Sequence, residues 1–270
     1  MRQLLLALQF LTILPVKIRG TVTETDISGS AVFFPVAGAF QGLLAVCTAL
    51  LSINFFSSEI TSGLVLLTFM VINGGFHIDG LADTFDALAV KSSGDLTADR
   101  EKMLSIMKDS TTGAIGVIAI VMTILLKFLF LNNLLTLPLS TSSYVFLFLM
   151  PVFSKWAMVL TMYHGNSARQ NGLGKMFIDN ITLIKVVFVS LLLIFFYAAA
   201  DMLYLHKAYG AGSIILFFVL LAIFYIFSLL SAKFFAKRFG GLTGDTIGAA
   251  GEISEILFLM VASLWLQHSI

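Results

Sequence analysis

The sequence predicts an all-α protein: a polytopic membrane helical bundle of about seven transmembrane helices, preceded by a short N-terminal interfacial or re-entrant helix. Three observations carry that expectation. Hydrophobic residues make up 59% of the 270 positions and charged residues only 11%, with a mean hydropathy of +0.99, far from the balance of a soluble domain. Apolar runs recur along the chain, each near the roughly 20 residues that a hydrocarbon core requires. When those runs alternate across a bilayer, nearly all basic residues between them fall on one side.

The chain opens with Arg2, Gln3 and an apolar stretch at 4–14 that Pro15 closes. It is too short to span and no small-residue cleavage site follows, so it reads as a retained helix rather than a signal peptide. Residues 17–29 are polar and rich in Thr and acids, the composition of a loop. The apolar runs then fall at 31–54, 60–77, 113–137, 144–163, 183–205, 214–235 and 247–266. The second is short, and its polar end suits a broken helix lining a cavity. Arg2, Lys17, Arg19, Lys91, Arg100, Lys102, Lys108, Arg169, Lys175, Lys185, Lys233, Lys237 and Arg238 share one side, and only Lys207 takes the other. That bias predicts a cytoplasmic N-terminus and an external C-terminus. Without repeats or low-complexity segments, 1–270 reads as a single integral membrane domain. The net charge of +1 and the lack of a basic run argue against nucleic acid. Cys47 is the sole cysteine, which excludes an intrachain disulfide and any Cys/His metal spacing.

Chemistry concentrates at 74–86, Gly-Gly-Phe-His-Ile-Asp-Gly-Leu-Ala-Asp-Thr-Phe-Asp, where the second run meets the first long polar loop. Asp79, Asp83 and Asp86 stand at i, i+4 and i+7, so a helix projects all three carboxylates from one face. No Lys or Arg lies between Arg19 and Lys91 to neutralise them locally. Carboxylates suit hard cations, and Mg²⁺ is typically held by one or two of them together with substrate phosphates. The expectation is a Mg²⁺ diphosphate site; a solvated acidic helix at a membrane border has the same charges. His77 beside them is a candidate proton acceptor or a border hydrogen-bonding group.

Later segments add partners. Thr97 is placed as the N-cap of a short amphipathic helix bearing Met103, Leu104, Ile106 and Met107. Lys108 and Asp109 at the entry to the third run suit either a salt-bridged helix end or a substrate contact. Lys155 lies inside the fourth run, where an ionisable group usually faces the bundle interior and marks a site; Lys127, midway along the third, is either another such group or snorkels. Arg169 and Lys175 sit in a glycine-containing loop and could pair with phosphate oxygens, as an ordinary basic loop also could. Gly241, Thr243, Gly244 and Asp245 belong to a glycine turn before a helix, an arrangement that can form an anion nest. Glu252 and Glu255, at i and i+3, are read as a second metal-binding carboxylate pair or as groups that orient the basic residues.

In order along the chain, 74–86, Met107-Lys-Asp-Ser110, Gly172-Leu-Gly174 and 240–248 resemble the cobalamin synthase family, adenosylcobinamide-GDP ribazoletransferase. The likeness runs from Phe10-Leu-Thr-Ile-Leu-Pro15 to Glu255. It implies a multi-pass enzyme of the bacterial cytoplasmic (inner) membrane, with its active site on the cytoplasmic side. Such an enzyme joins adenosylcobinamide-GDP to α-ribazole or its 5′-phosphate in a Mg²⁺-dependent step that releases GMP. Two positions depart from the pattern: Ile13 stands where Arg is common, and Lys155 where Arg is common, which loses the bidentate fork. The rivals are a CDP-alcohol phosphotransferase, whose Asp-x-x-Asp-Gly-x-x-Ala-Arg order is missing, and a secondary transporter using Lys127 and Lys155 as pathway charges. Homo-oligomerisation is left open.

Overall fold

A computed structural model describes residues 1–18, 20–136 and 141–268, and among them the chain is helix and connecting loop without a β-sheet. Arg19 and Leu137, assigned from the sequence to a loop and a span end, lie outside the described residues. The first helix, α1 (Arg2–Leu11), is about 15 Å long at 1.5 Å per residue, roughly half a hydrocarbon core. Its Leu6, Ala7 and Leu11 are buried. The polar segment after it is not all loop. Thr23 and Asp26 form a reciprocal capping box that starts α2 (Glu24–Ser30), which leads through a tight turn (Ala31–Phe33) into α3 (Phe34–Ser52).

The expected break in the second run is present. α4 (Ser58–Ile72) and α5 (Phe76–Leu88) meet at 86°. Gly74 and Gly75 turn the corner at φ 62° and 73°, values that strain any residue with a Cβ. The N-terminal segment braces it: Ile13 N donates to Ile72 O at 2.8 Å, and buried Gln41 Nε2 donates to Leu11 O at 2.7 Å and Asn73 Oδ1 at 2.6 Å. Next, α6 (Leu96–Ile106) is capped by Asp95, whose carboxylate accepts from Thr97 N and Ala98 N. The cap thus falls two residues before Thr97, because a carboxylate at Asp95 reaches both free N–H groups. Met103 and Met107 are buried as expected.

The remaining helices are α7 (Ala114–Thr136), α8 (Thr141–Tyr163), α9 (Leu173–Ile178), α10 (Leu183–Ala200), α11 (His206–Tyr209), α12 (Gly212–Phe239) and α13 (Gly244–His268), with a wide π turn (Asp201–Leu205) between α10 and α11. Six helical segments are long and apolar enough to cross a membrane, and the bent α4–α5 pair makes a seventh candidate. The chain is therefore a multi-pass membrane protein, and α8 is its axis: every residue from Leu149 to Met162 is buried. Gly38 on α3 lets the two backbones touch, since a Cβ there would lie 2.5 Å from Pro151 O. Conversely, α10 and α12 turn Phe188, Leu191, Phe195, Ile215, Phe218 and Ile226 outward, which suits lipid and not water. One end of the bundle gathers α5, α6 and α9 with the N-termini of α7 and α13; this is the polar border.

Candidate active site

All three aspartates lie on α5, as the spacing predicts, and one of them also has a structural task. Asp86 accepts from Gly113 N and from Gly116 N, each at 2.7 Å, and so caps α7. The small residues before α7 make room for that carboxylate: a Cβ on Gly113 would lie 2.6 Å from Asp86 Oδ1. Asp86 thus caps α7 while its charge still bears on Asp83. Asp245 joins the cluster from α13. Gly80 admits the start of α13 so closely that a Cβ there would lie 2.9 Å from Asp245 Cα.

Past the corner, the acids of α5 lie beyond the apolar run at 60–77. Partial burial, then the charges of Asp79, Asp245 and Asp86, push the Asp83 carboxyl up to about 6, with Arg169 acting in the opposite sense. These acids repel one another and share one nearby cation. Among the described residues no three His, Cys, Asp or Glu side chains already converge on a metal-sized point. A crowded, under-neutralised set of carboxylates still fits Mg²⁺, which needs only one or two of them when substrate phosphates complete its shell.

A cleft of about 240 Å³ is lined by Arg169, Asn171, Lys175, Thr243 and Gly244, and its Arg169 reaches Asp245. Backbone pairing builds it: Ala168 N donates to Leu242 O and Leu242 N to Asn166 O, both at 2.8 Å. Gly241 is required at that crossing, because a Cβ would lie 2.6 Å from Ala168 N. Thr243 and Thr246 cap α13 reciprocally, Thr246 N donating to Thr243 Oγ1 at 3.2 Å and Thr243 N to Thr246 Oγ1 at 2.9 Å. Arg169 donates to Asp245 Oδ2 at 2.9 Å, and Lys175 pairs with Asp179 at 2.5 Å. Asp179 escaped notice in the sequence, although its i+4 spacing from Lys175 was a readable signal. Lys108 and Asp109 form no ion pair with each other among the described contacts; Lys108 is exposed, and Asp109 accepts from Thr111 N and Oγ1.

The remaining charges occupy a separate buried cluster. Lys127 Nζ lies 2.6 Å from Glu252 Oε2 and 2.5 Å from Glu255 Oε2; Lys155 Nζ lies 3.4 Å from Glu255 Oε1 and 3.4 Å from His77 Nδ1. Two ammonium and two carboxylate groups balance one another, so Glu252 and Glu255 are engaged with lysines and do not act as a second metal pair here. Of the two roles read from the sequence, orienting the basic residues is the one seen. His77 belongs to this cluster as well. Two residues from Asp79, it projects about 200° around the helix, away from the acids. It is therefore not placed to take a proton beside them. The lysines are locked in ion pairs rather than strung along an open path, which removes the basis for a transporter.

Bundle and border together define the class: a multi-pass membrane protein equipped like an enzyme that handles phosphate groups. Comparison with known proteins supplies the family. The family described as cobalamin-5-phosphate synthase matches residues 3–263, and the chain belongs to it. A relative named adenosylcobinamide-GDP ribazoletransferase from Thermodesulfovibrio yellowstonii is 37% identical over 268 residues, covering 98% of each chain. Relatives of the same name from Clostridioides difficile and Caldanaerobacter subterraneus are 32% and 33% identical, covering 96% and 98% of each chain. No solved structure matches. The protein is accordingly a transferase of cobalamin biosynthesis.

Proposed function

We propose that the chain transfers the adenosylcobinamide phosphate moiety from adenosylcobinamide-GDP to α-ribazole or its 5′-phosphate, forming the cobalamin product and GMP in a Mg²⁺-dependent reaction. The observation that carries this reading is that Arg169, which lines one cleft with Lys175, also pairs with Asp245 and acts on the Asp83 carboxyl that Asp79 and Asp245 crowd. A nucleotide diphosphate has the matching chemistry, with anionic oxygens for the cations and for a metal held by the acids. Asp79, Asp83 and Asp245 would hold Mg²⁺, which when bound neutralises charge on the diphosphate and on departing GMP.

The chain's own residues bind and align. Arg169 offers a planar fork to phosphate oxygens, and its bond to Asp245 keeps it beside the acids until substrate arrives. Lys175 reaches the same cleft from α9, and Thr243 fixes the turn that shapes its wall. We place this border on the cytoplasmic side of a bacterial cytoplasmic membrane, on the strength of the basic residues gathered at that end.

The test uses purified protein with adenosylcobinamide-GDP, α-ribazole and Mg²⁺, scored for GMP and a corrinoid product. Release should be abolished by chelator; no release above the chelated control discards the reading.

A further inference from the structure

A second, apolar cleft of about 180 Å³ opens beside the cationic one, and the two share Leu173, Gly174 and Gly244. Its walls include Phe10, Phe34, Phe177, Met158 and Met162. Phe177 stands edge-on to Phe10 at 5.1 Å and 5.6 Å from Phe34. The volume is below the roughly 300–1,000 Å³ of drug-sized pockets and suits one fused ring system. Glycine lets the two chain segments between the clefts pack closely: a Cβ on Gly174 would lie 3.0 Å from Gly244 N.

His77 is the sole polar side chain among the residues lining the apolar cleft. Its Nδ1 faces Lys155 Nζ at 3.4 Å. An ammonium only donates, so Nδ1 accepts and the ring proton resides on Nε2. Lys155 is in turn held by Glu255, and Glu255 by Lys127. The buried ion cluster thus sets the tautomer of a histidine at the edge of an aromatic-walled slot, and no described side chain or backbone group takes up its Nε2–H.

We propose that this slot holds the flat, bicyclic aromatic base of the acceptor nucleoside, with His77 Nε2–H donating to an unsubstituted ring nitrogen. The inference rests on the transferase reading and deepens it: the slot and the cleft of Arg169 and Lys175 share Leu173, Gly174 and Gly244 as walls, so a base seated in the slot lies beside the groups that would take its sugar-phosphate end. A site built around a donor discriminates strongly against a ligand that lacks the acceptor.

Benzimidazole and indole are close in size and shape, but only benzimidazole carries a pyridine-type nitrogen acceptor. Binding of both to the full-length protein in detergent, measured by equilibrium dialysis, should favour benzimidazole by at least about tenfold. In His77→Phe, which keeps an aromatic ring without the donor, the two affinities should come within about twofold. Equal affinities in the unaltered protein, or a preference that survives in folded His77→Phe, overturns the proposal. Should that variant fail to fold, exposed Leu173→Trp narrows the slot's mouth and should weaken both ligands about tenfold; unchanged binding there also overturns it. The outcomes remain separable from the reaction itself. Full GMP release with no discrimination discards the base site alone, whereas measurable discrimination without GMP release discards the transferase reading.

Discussion

Asp79 and Asp83 on α5, and Glu252 and Glu255 on α13, are carboxylate pairs at ordinary helical spacings, yet their surroundings differ in kind. The glutamates are buried and matched charge for charge by Lys127 and Lys155, drawn from two other helices. The aspartates are partly exposed, gain a further acid from Asp245, and have Arg169 as their neighbouring cation. Charges that are fully neutralised inside a bundle hold helices together; charges left under-neutralised at a rim are arranged for something that arrives. The same residue chemistry therefore serves architecture in one place and ligand capture in the other.

If that contrast holds, the largest effect on stability comes from the buried pair. Lys127→Met strands two carboxylates beside Lys155 and should cost about 3–5 kcal/mol, read as a lowered unfolding midpoint in detergent. A midpoint unchanged from the parent would mean that the cluster contributes little to holding the bundle. Asp83→Asn should behave oppositely: turnover falls by at least about a hundredfold, near 2.7 kcal/mol of barrier, while the midpoint stays level or rises as repulsion is relieved. Retained turnover would remove Asp83 from the reaction. Asp86→Ala tests the third aspartate, with an expected loss of about 1 kcal/mol of stability from the uncapped α7 and a much smaller loss of turnover than Asp83→Asn causes.

The smallest signal is the pH dependence of the acidic rim. Asp83 titrates at about 6 in the folded chain against an ordinary 3.8, so the folded state binds its proton more tightly than the unfolded state does. Stability is then greatest below that window and declines as pH rises through it. Unfolding midpoints without divalent metal should show this decline, and both Asp83→Asn and added Mg²⁺ should flatten it. A slope indifferent to both belongs to other groups.

Hydropathy and basic-residue bias were enough to locate the crossing segments, because lipid imposes a coarse rule on long stretches. The broken second run was also legible, from its shortness and its polar end. Partnerships across the fold were not. Lys127 meets glutamates more than a hundred positions away, and nothing local to either helix names the other. Asp86 reads like its neighbours until α7 is seen to start beneath it. His77 was grouped with the acids because it adjoins them in sequence, although helical rotation sends it to the opposite side. Asp245 was singled out as a substrate contact, but its closeness to α5 depends on Gly80, whose small size was not given a purpose.

The corner at Gly74 and Gly75 has one more consequence. Two glycines alone would make a loose joint, and here the strand of chain from Leu11 to Ile13 acts as a splint across it. The tilt of the acidic helix is thereby governed by the opening residues, distant in sequence from any reacting group. An affinity handle fused at Met1, which is 97% exposed, leaves that splint intact, whereas trimming back past Ile13 would let the acidic helix swing.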